Sequence, residues 1–253
     1  MQVYHMSGAG NDFAVIDARN VNIDLQETAK TLCAKLGADG FLALDNSSFA
    51  HFRLHFYNPD GLRGEMCGNG ARCICRFAYD LGLAPEEMTL ETDAGLVYGW
   101  RLDENTYRVK LNDAGVLDLN RTEDAAYVEL GNPGIPHSVT ELPCLDFAHL
   151  DTLRPLSLSI RHDPAFPKGV NVNLFTRLSE DCIRILTFER GVEDYTLACG
   201  TGCGSVAVTL KEKGLLPGGR LTCENRGGIL TIEINDSGLF LEGQAEILNT
   251  FHI

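Results

Sequence analysis

Positive charge is scarce in this chain. Twenty-one Lys and Arg stand against 35 Asp and Glu, for a formal charge of −14 at pH 7 and a pI of about 4.8. That balance excludes the basic footprint of a nucleic-acid partner and disfavours an anionic membrane surface. Long apolar runs are missing too, since no stretch approaches the ~18 residues that span a bilayer. The N-terminus is polar and passes straight into Ser7-Gly8-Ala9-Gly10-Asn11-Asp12, with no sign of a secretory leader. Also absent are Cys-x-x-Cys, low-complexity tracts and long Pro/Gly/Ser-rich linkers. Nine cysteines, an odd number dispersed over 253 residues, do not read as a secreted disulfide framework. The expectation is a reduced, cytoplasmic protein with neither nucleic-acid nor membrane partner. Its 44% hydrophobic and 22% charged content is ordinary for a globular chain long enough to bury a sizeable core.

What the chain does contain is a repeat, the first thing to seek in any sequence. Met66-Cys67-Gly68-Asn69-Gly70-Ala71-Arg72-Cys73 recurs as Ala198-Cys199-Gly200-Thr201-Gly202-Cys203. Each copy is Cys-Gly-x-Gly followed by a run that reads as a helix. Gly82 lies fifteen residues after Cys67, and Gly214 fifteen after Cys199; thirteen further on stand Gly95 and Gly227. Strand-like runs precede both cysteines, at His51 to Tyr57 and Ile183 to Phe188. Others follow the distal glycines, at Leu96 to Tyr98 and Gly228 to Leu230. The residues predict two related halves, each presenting one cysteine at a helix N-terminus.

Val3 to Met6 and Phe13 to Ile16 read as strands around a loop from Ser7 to Asp12. Gln26 to Leu36 has helical spacing, with Ala29, Leu32, Cys33 and Leu36 on one side and Gly37-Ala38-Asp39-Gly40 as its stop. Phe41 to Leu44 resumes as strand. The two helices after Cys67 and Cys199 lack a broad polar face, the pattern of a buried helix, so each is expected inside its own curved sheet. The first half ends around Asn112 to Gly115. Tyr127 to Leu130 with Gly131-Asn132-Pro133 then echoes the N-terminal strand and loop. Leu145 to Ser159 fits a short helix or irregular chain equally.

A helix N-terminus carries unpaired N–H groups and partial positive charge, so it favours a bound carboxylate and a thiolate. If two such termini act on one small carboxylate, a sulfur can lie on either side of its α-carbon. One cysteine removes the proton as thiolate and the other delivers a proton to the opposite face. The developing carbanion is stabilised by both helix termini. The competing reading, a buried inert thiol, suits Cys33, Cys73, Cys75, Cys144, Cys182, Cys203 and Cys223. Zinc would prefer Cys-x2–4-Cys pairs; Cys199 and Cys203 fit that spacing, Cys67 and Cys73 do not, and no His pair completes a site.

The segments Gly8 to Phe13, Asn58 through Arg72, Gly131-Asn132-Pro133, Glu189-Arg190-Gly191 and Ala198 through Gly202 resemble the diaminopimelate epimerases from end to end. That resemblance implies an α+β fold of two pseudo-symmetric domains, each a curved mixed β-sheet or barrel wrapped around a central helix. Residues 1–114 with a returning 244–253 would carry Cys67, and 115–243 would carry Cys199. It implies an isomerase that interconverts LL- and meso-diaminopimelate for lysine and peptidoglycan precursors. Such enzymes work as homodimers, without pyridoxal phosphate or metal. The family's catalytic thiols fall on Cys67 and Cys199, and its α-carboxylate positions on Gly68, Asn69, Gly200 and Thr201. Its distal substrate contacts fall on Asn11, Asn58, Asn132, Asn171, Glu189 and Arg190. Chemically, Arg190 can fork onto a distal carboxylate and Glu189 can face an ammonium. Each asparagine alone is weak, as Asn is common in turns. Three departures stand out. Gly40 replaces a Gln of some members, Gly134-Ile135-Pro136 separates Asn132-Pro133 from His137, and one residue is inserted within Val192 to Tyr195. The rival readings are a cofactor-independent racemase of another amino acid on the same fold, and a thiol redox or small-ligand-binding protein.

Epimerase activity should survive EDTA and carbonyl reagents that trap pyridoxal phosphate. Loss in EDTA with recovery on zinc addition would restore the metal reading.

Overall fold

Ala9 and Gly10 both have positive φ, 57° and 83°, and close a two-residue turn between β1 (Gln2–Gly8) and β2 (Asn11–Asp17). Two left-handed residues match the twist of a hairpin, so the expected six-residue loop shrinks to two and Asn11 becomes the first residue of a strand. The chain then runs through α1 (Leu25–Leu36), β3 (Gly40–Asp45), β4 (Phe52–Tyr57), β5 (Arg63–Gly64), α2 (Gly68–Asp80), β6 (Glu87–Thr92), β7 (Gly95–Arg101) and β8 (Thr106–Lys110). This computed structural model describes residues 1–64 and 66–252. Glu65, inside the Asn58–Arg72 segment, and Ile253, at the end of the expected C-terminal return, lie outside the described residues.

The chain divides into two units, Met1–Lys110 with Glu242–Ile253, and Leu111–Leu241. The second unit runs through β9 (Ala114–Asp118), β10 (Ala126–Gly131), β11 (Gly134–Glu141), α3 (Leu150–Arg161), β12 (Asn171–Arg177), β13 (Cys182–Glu189), β14 (Asp194–Tyr195), α4 (Gly200–Glu212), β15 (Arg220–Asn225) and β16 (Gly228–Asn235). The chain leaves it within β17 (Gly238–Gln244), and β18 (Glu246–His252) belongs to the first unit.

The two units share one pairing scheme. β2 and β3 are parallel, as are β11 and β12; β4 and β6 are parallel, as are β13 and β15. Each parallel pair needs a crossover, and a helix supplies each one: α1, α3, α2 and α4 in that order. Antiparallel neighbours include β18 on β1 and β9 on β10. β1 thus takes its outer partner from the end of the chain, whereas β10 takes its own from just upstream.

In the first unit β2 and β3 are covered on both faces, by α2 and by α1. Phe13 and Leu42 point at α2, where a Cβ on Gly70 would lie 3.1 Å from Leu42 Cδ2 and 3.5 Å from the Phe13 ring. Their neighbours Ala14, Phe41 and Ala43 cluster with Ala29, Leu32 and Cys33 of α1. Two buried faces explain the unbroken apolar run Phe41-Leu42-Ala43-Leu44. Asp24 caps α1 by accepting the N–H groups of Gln26 and Glu27, and Gly37 ends it in the left-handed conformation. α2 itself packs against β1, β2, β3, β4, β7 and β8; α4 packs against β9, β10, β11, β12, β15 and β16. Large side chains such as Phe77 of α2 are therefore fully buried, each contributing about 1.5–3 kcal/mol.

The ambiguous stretch from Leu145 to Ser159 is helical. Asp146 accepts the N–H of Ala148 at the start of a 3-10 turn (Phe147–His149), which leads into α3. α3 tolerates Pro155 because Leu150, Leu153 and Ile160 pack on the cluster of Val172, Leu174, Leu186 and Phe188.

β1 presses on the first turn of α2, where a Cβ at Gly8 would lie 2.9 Å from the Asn69 carbonyl oxygen and 3.1 Å from Cys73 Sγ. Gly8→Ala should therefore destabilise the protein by about 1–3 kcal/mol. A urea titration with a lowered midpoint and an unchanged slope is the expected record; an unshifted midpoint would show that α2 can yield.

Candidate active site

Cys67 and Cys199 are the N-cap residues of α2 and α4. Both are extended, at φ −134° and −125°, and each Sγ accepts the N–H three residues on: Gly70 at 3.5 Å and Gly202 at 3.4 Å. Oxygen side chains usually fill this position, and sulfur accepts more weakly. A thiol here is thus held at the positive end of a helix at some cost in capping strength. The residues that follow must be small. A Cβ at Gly202 would lie 2.3 Å from Asn173 Oδ1 and 2.9 Å from Thr187 Oγ1, so α4 begins directly on β12 and β13.

In the first unit, Asn69 Nδ2 donates to Asn11 Oδ1, and Asn11 Nδ2 donates to Asp39 Oδ2 at 3.4 Å. Asp39 Oδ2 also accepts the Asp12 N–H at 2.9 Å. The first residue of β2 is thereby tied to the first turn of α2, which carries Gly68 and Asn69 behind Cys67. Gly40 follows Asp39 and faces inward: a Cβ there would lie 2.9 Å from the Phe56 ring. Asn58 opens the β4–β5 turn, with its N–H on the Leu62 carbonyl and its own carbonyl accepting Gly61 N–H.

In the second unit, the register of β12 on β13 sets Asn171 beside the end of β13. Asn171 Oδ1 accepts the Arg190 N–H at 2.9 Å, and Arg190 Nη1 donates to the Lys168 carbonyl at 2.8 Å. Glu189 Oε1 accepts the Thr196 hydroxyl, and Thr201 Oγ1 lies 3.5 Å from Cys199 Sγ. Asn171, Glu189, Arg190, Cys199, Gly200 and Thr201 are thus gathered by adjoining elements. Asn132 stands exposed at the tip of the β10–β11 hairpin, apart from that group in its hydrogen bonding. It is Gly134, first residue of β11, that occupies the place Asn11 has in β2.

Burial outweighs the helix terminus at Cys199. Desolvation pushes its thiol well above the usual range, the Glu189 carboxylate pushes the same way, and the Thr201 hydroxyl and Gly202 N–H only partly oppose them. The expected thiolate preference is therefore reversed for this cysteine, which stands as a thiol at neutral pH. Burial likewise raises Cys33 to about 11 and Cys73 to about 12, as inert core thiols require.

Sequence reading missed a buried polar network below α4. His137 Nδ1 accepts from Asn173 Nδ2 at 3.1 Å, that nitrogen also donates to the Ser138 carbonyl, and Asn173 Oδ1 accepts the Thr187 hydroxyl. Burial, with the Arg190 charge adding to it, lowers His137 to about 3 and keeps it neutral. A faint signal existed: Asn171 and Asn173 are two apart in a strand and so share the face turned to α4. Among the described residues no three His, Cys, Asp or Glu side chains gather as a metal ion requires, and no helix is long and apolar enough to cross a membrane.

A family model described as diaminopimelate epimerase matches residues 3–117 and 130–248. A diaminopimelate epimerase of Archaeoglobus fulgidus is 34% identical over 263 residues, covering 95% of this chain and 91% of the relative. One from Aquifex aeolicus is also 34% identical, over 269 residues with 96% and 94% coverage. Among solved structures, a PhzF-family phenazine biosynthesis protein from Bacillus anthracis shares the fold, with a TM-score of 0.75, 15% identity and coverage of 100% and 98%. So does a probable proline racemase from Agrobacterium radiobacter, with a TM-score of 0.68, 16% identity and coverage of 100% and 92%.

Thiolate is the alkylating form, and a raised pKa leaves little of it at pH 7. Iodoacetamide should therefore modify the exposed Cys144 ahead of Cys199 at pH 7, and Cys199 labelling should climb only as pH passes 9. Peptide mass mapping across that range checks this; early labelling of Cys199 would show that burial does not control it.

Proposed function

The chain belongs to the diaminopimelate epimerase family, and on that premise we propose that it is an isomerase interconverting LL- and meso-diaminopimelate with Cys67 and Cys199 as its acid–base pair. The observation that carries this reading is the matched placement of the two sulfurs, each capping the central helix of its unit on the third N–H. The two units are the natural epimerase domains. Cytoplasmic residence and a homodimer are what the family resemblance implies.

The reaction breaks a C–H bond alpha to a carboxylate and remakes it on the other face. The substrate α-carboxylate is taken by the backbone at Gly68, Asn69, Gly200 and Thr201, where helix termini concentrate positive partial charge. One sulfur, as thiolate, receives the α-proton, and the electron pair left on carbon delocalises into the carboxylate held by those N–H groups. The other sulfur, as thiol, gives its proton from the opposite side. Each turnover leaves the two cysteines with exchanged protonation states. Burial and the Glu189 carboxylate favour Cys199 entering as the thiol in one direction, and the reverse direction starts from the exchanged states.

Selectivity for a substrate with a second amino-acid head group is assigned to Asn11, Asn58, Asn132, Asn171, Glu189 and Arg190. Arg190 supplies a guanidinium to the distal carboxylate, and Glu189 an anion to the distal ammonium. A racemase of a simple amino acid would have no use for that clamp.

Cys67→Ala and Cys199→Ala should each abolish net inversion in both directions, read by polarimetry or by α-proton NMR in D2O. Arg190→Ala should cost roughly tenfold to a hundredfold in kcat/KM for diaminopimelate, from the ~1.5–3 kcal/mol of a hydrogen bond to a charged group. An unchanged kcat/KM, or preserved activity on a monocarboxylic amino acid, would transfer the chain to the rival racemase reading.

A further inference from the structure

Arg190 leads a loop that runs from the end of β13 to β14 and contains the extra residue of this chain. Two arginines of α3, Arg154 and Arg161, reach that loop. They are seven residues apart, two helical turns, and so lie on one face. Arg154 Nη1 donates to Asp194 Oδ1 at 2.7 Å, and its Nη2 donates to the Glu193 carbonyl at 3.3 Å. Arg161 donates twice to Glu193 Oε1, from Nη2 at 2.7 Å and from Nε at 3.2 Å. The same Glu193 oxygen accepts the Gly191 N–H at 3.0 Å, from the residue next to Arg190. Glu193 makes these contacts at φ 57°, in the left-handed region that non-glycine residues seldom occupy. An uncommon backbone conformation held by three donors on one carboxylate oxygen is a built feature.

Both Arg161 and Arg190 come close to Gly169, at φ 65°. A Cβ there would sit 2.4 Å from Arg161 Nη1 and 3.4 Å from Arg190 Cδ, so both arginine side chains approach this one backbone position. The residue before it, Lys168, gives its carbonyl to Arg190 Nη1. Arg161 is therefore a second guanidinium beside Arg190, and the Glu193 carboxylate neutralises it. Without Glu193, the Arg161 charge would stand without that carboxylate, and the turn after Arg190 would lose its tie at Gly191.

We propose that Glu193 and Arg161 form a positioning pair that sets the Arg190 side chain for the distal carboxylate of the substrate. This inference rests on the reading of Arg190 as the distal clamp. Neither residue touches the reacting carbon; they act on how tightly the remote end of the substrate is held. Loss of such remote, uniform binding raises KM and leaves kcat nearly unchanged.

The test uses the full-length chain and initial rates of diaminopimelate inversion over a range of substrate concentrations. Glu193→Gln keeps the side-chain size and removes the charge. KM should rise about tenfold with kcat within about threefold, the scale of one charge-assisted hydrogen bond. Arg161→Met should reproduce this, and the double variant should be no worse than either single one. In an Arg190→Lys background, Glu193→Gln should add nothing, because the group it positions is gone. Circular dichroism confirms folding; if Glu193→Gln unfolds, Arg161→Lys, which keeps the charge but loses the fork, should give a smaller KM rise in a folded protein. A KM unchanged in Glu193→Gln overturns the pair, as does an equal further rise in the Arg190→Lys background, which would mark a general structural role. A wild-type chain that inverts no diaminopimelate overturns the functional reading itself, and is seen before any variant is compared.

Discussion

Sulfur capping the third N–H of a helix is the constraint on which both units are built. The cap fixes Cys67 and Cys199 at the positive end of α2 and α4. Strands cover the helices on the sides, so polar chemistry is confined to the helix start. That confinement also explains the glycines of the motif. At Gly70 and Gly202 a side chain would meet Leu42 or Asn173, and the helix could not begin where its sulfur needs it. Position, more than intrinsic reactivity, distinguishes these two cysteines from the other seven.

Electrostatics at the second unit follow from the same confinement. Burial holds Cys199 as a thiol, and the nearby Glu189 carboxylate adds to the cost of charging it. A chain with a net charge of −14 repels carboxylates at long range. It can hold one only where local positive charge is concentrated. Under the proposed function, helix termini and Arg190 supply that charge. The neutral His137 below α4 adds no competing cation.

The repeat and the two central helices were legible in the sequence because glycine spacing and apolar pattern are local signals. Cys67-Gly68-Asn69-Gly70 and Cys199-Gly200-Thr201-Gly202 each announced a helix start, and both helices begin at the residue after the cysteine. The parallel pairing of β2 with β3 was not legible, since nothing in a strand names its neighbour. Nor was the state of Cys199, because a helix terminus can be read from sequence whereas desolvation depends on what the fold packs around it. The loop from Ser7 to Asp12 was overcalled in length: Ala9 at positive φ has no signature as clear as Asn-Gly. Nothing local in the sequence marks Arg154 or Arg161, and only the fold brings them to the Arg190 loop.

β18, the last strand, pairs along β1 from His252 opposite Gln2 to Glu246 opposite Ser7, and α2 reinforces the junction where Arg76 Nη1 donates to the Ala245 carbonyl. During synthesis, therefore, the first half to emerge is the last to be completed. Leu111–Leu241 is a continuous segment with β9 already at hand for β10, so it can close as soon as it leaves the ribosome. The N-terminal segment must instead wait, with that edge of β1 bare, for Glu246–His252. Loop closure over the whole length of the chain makes that step slow relative to local pairing. The unit whose first strands are made earliest is thus the one whose strand set is completed latest, and the bare edge of β1 is what a nascent chain has to keep from pairing elsewhere.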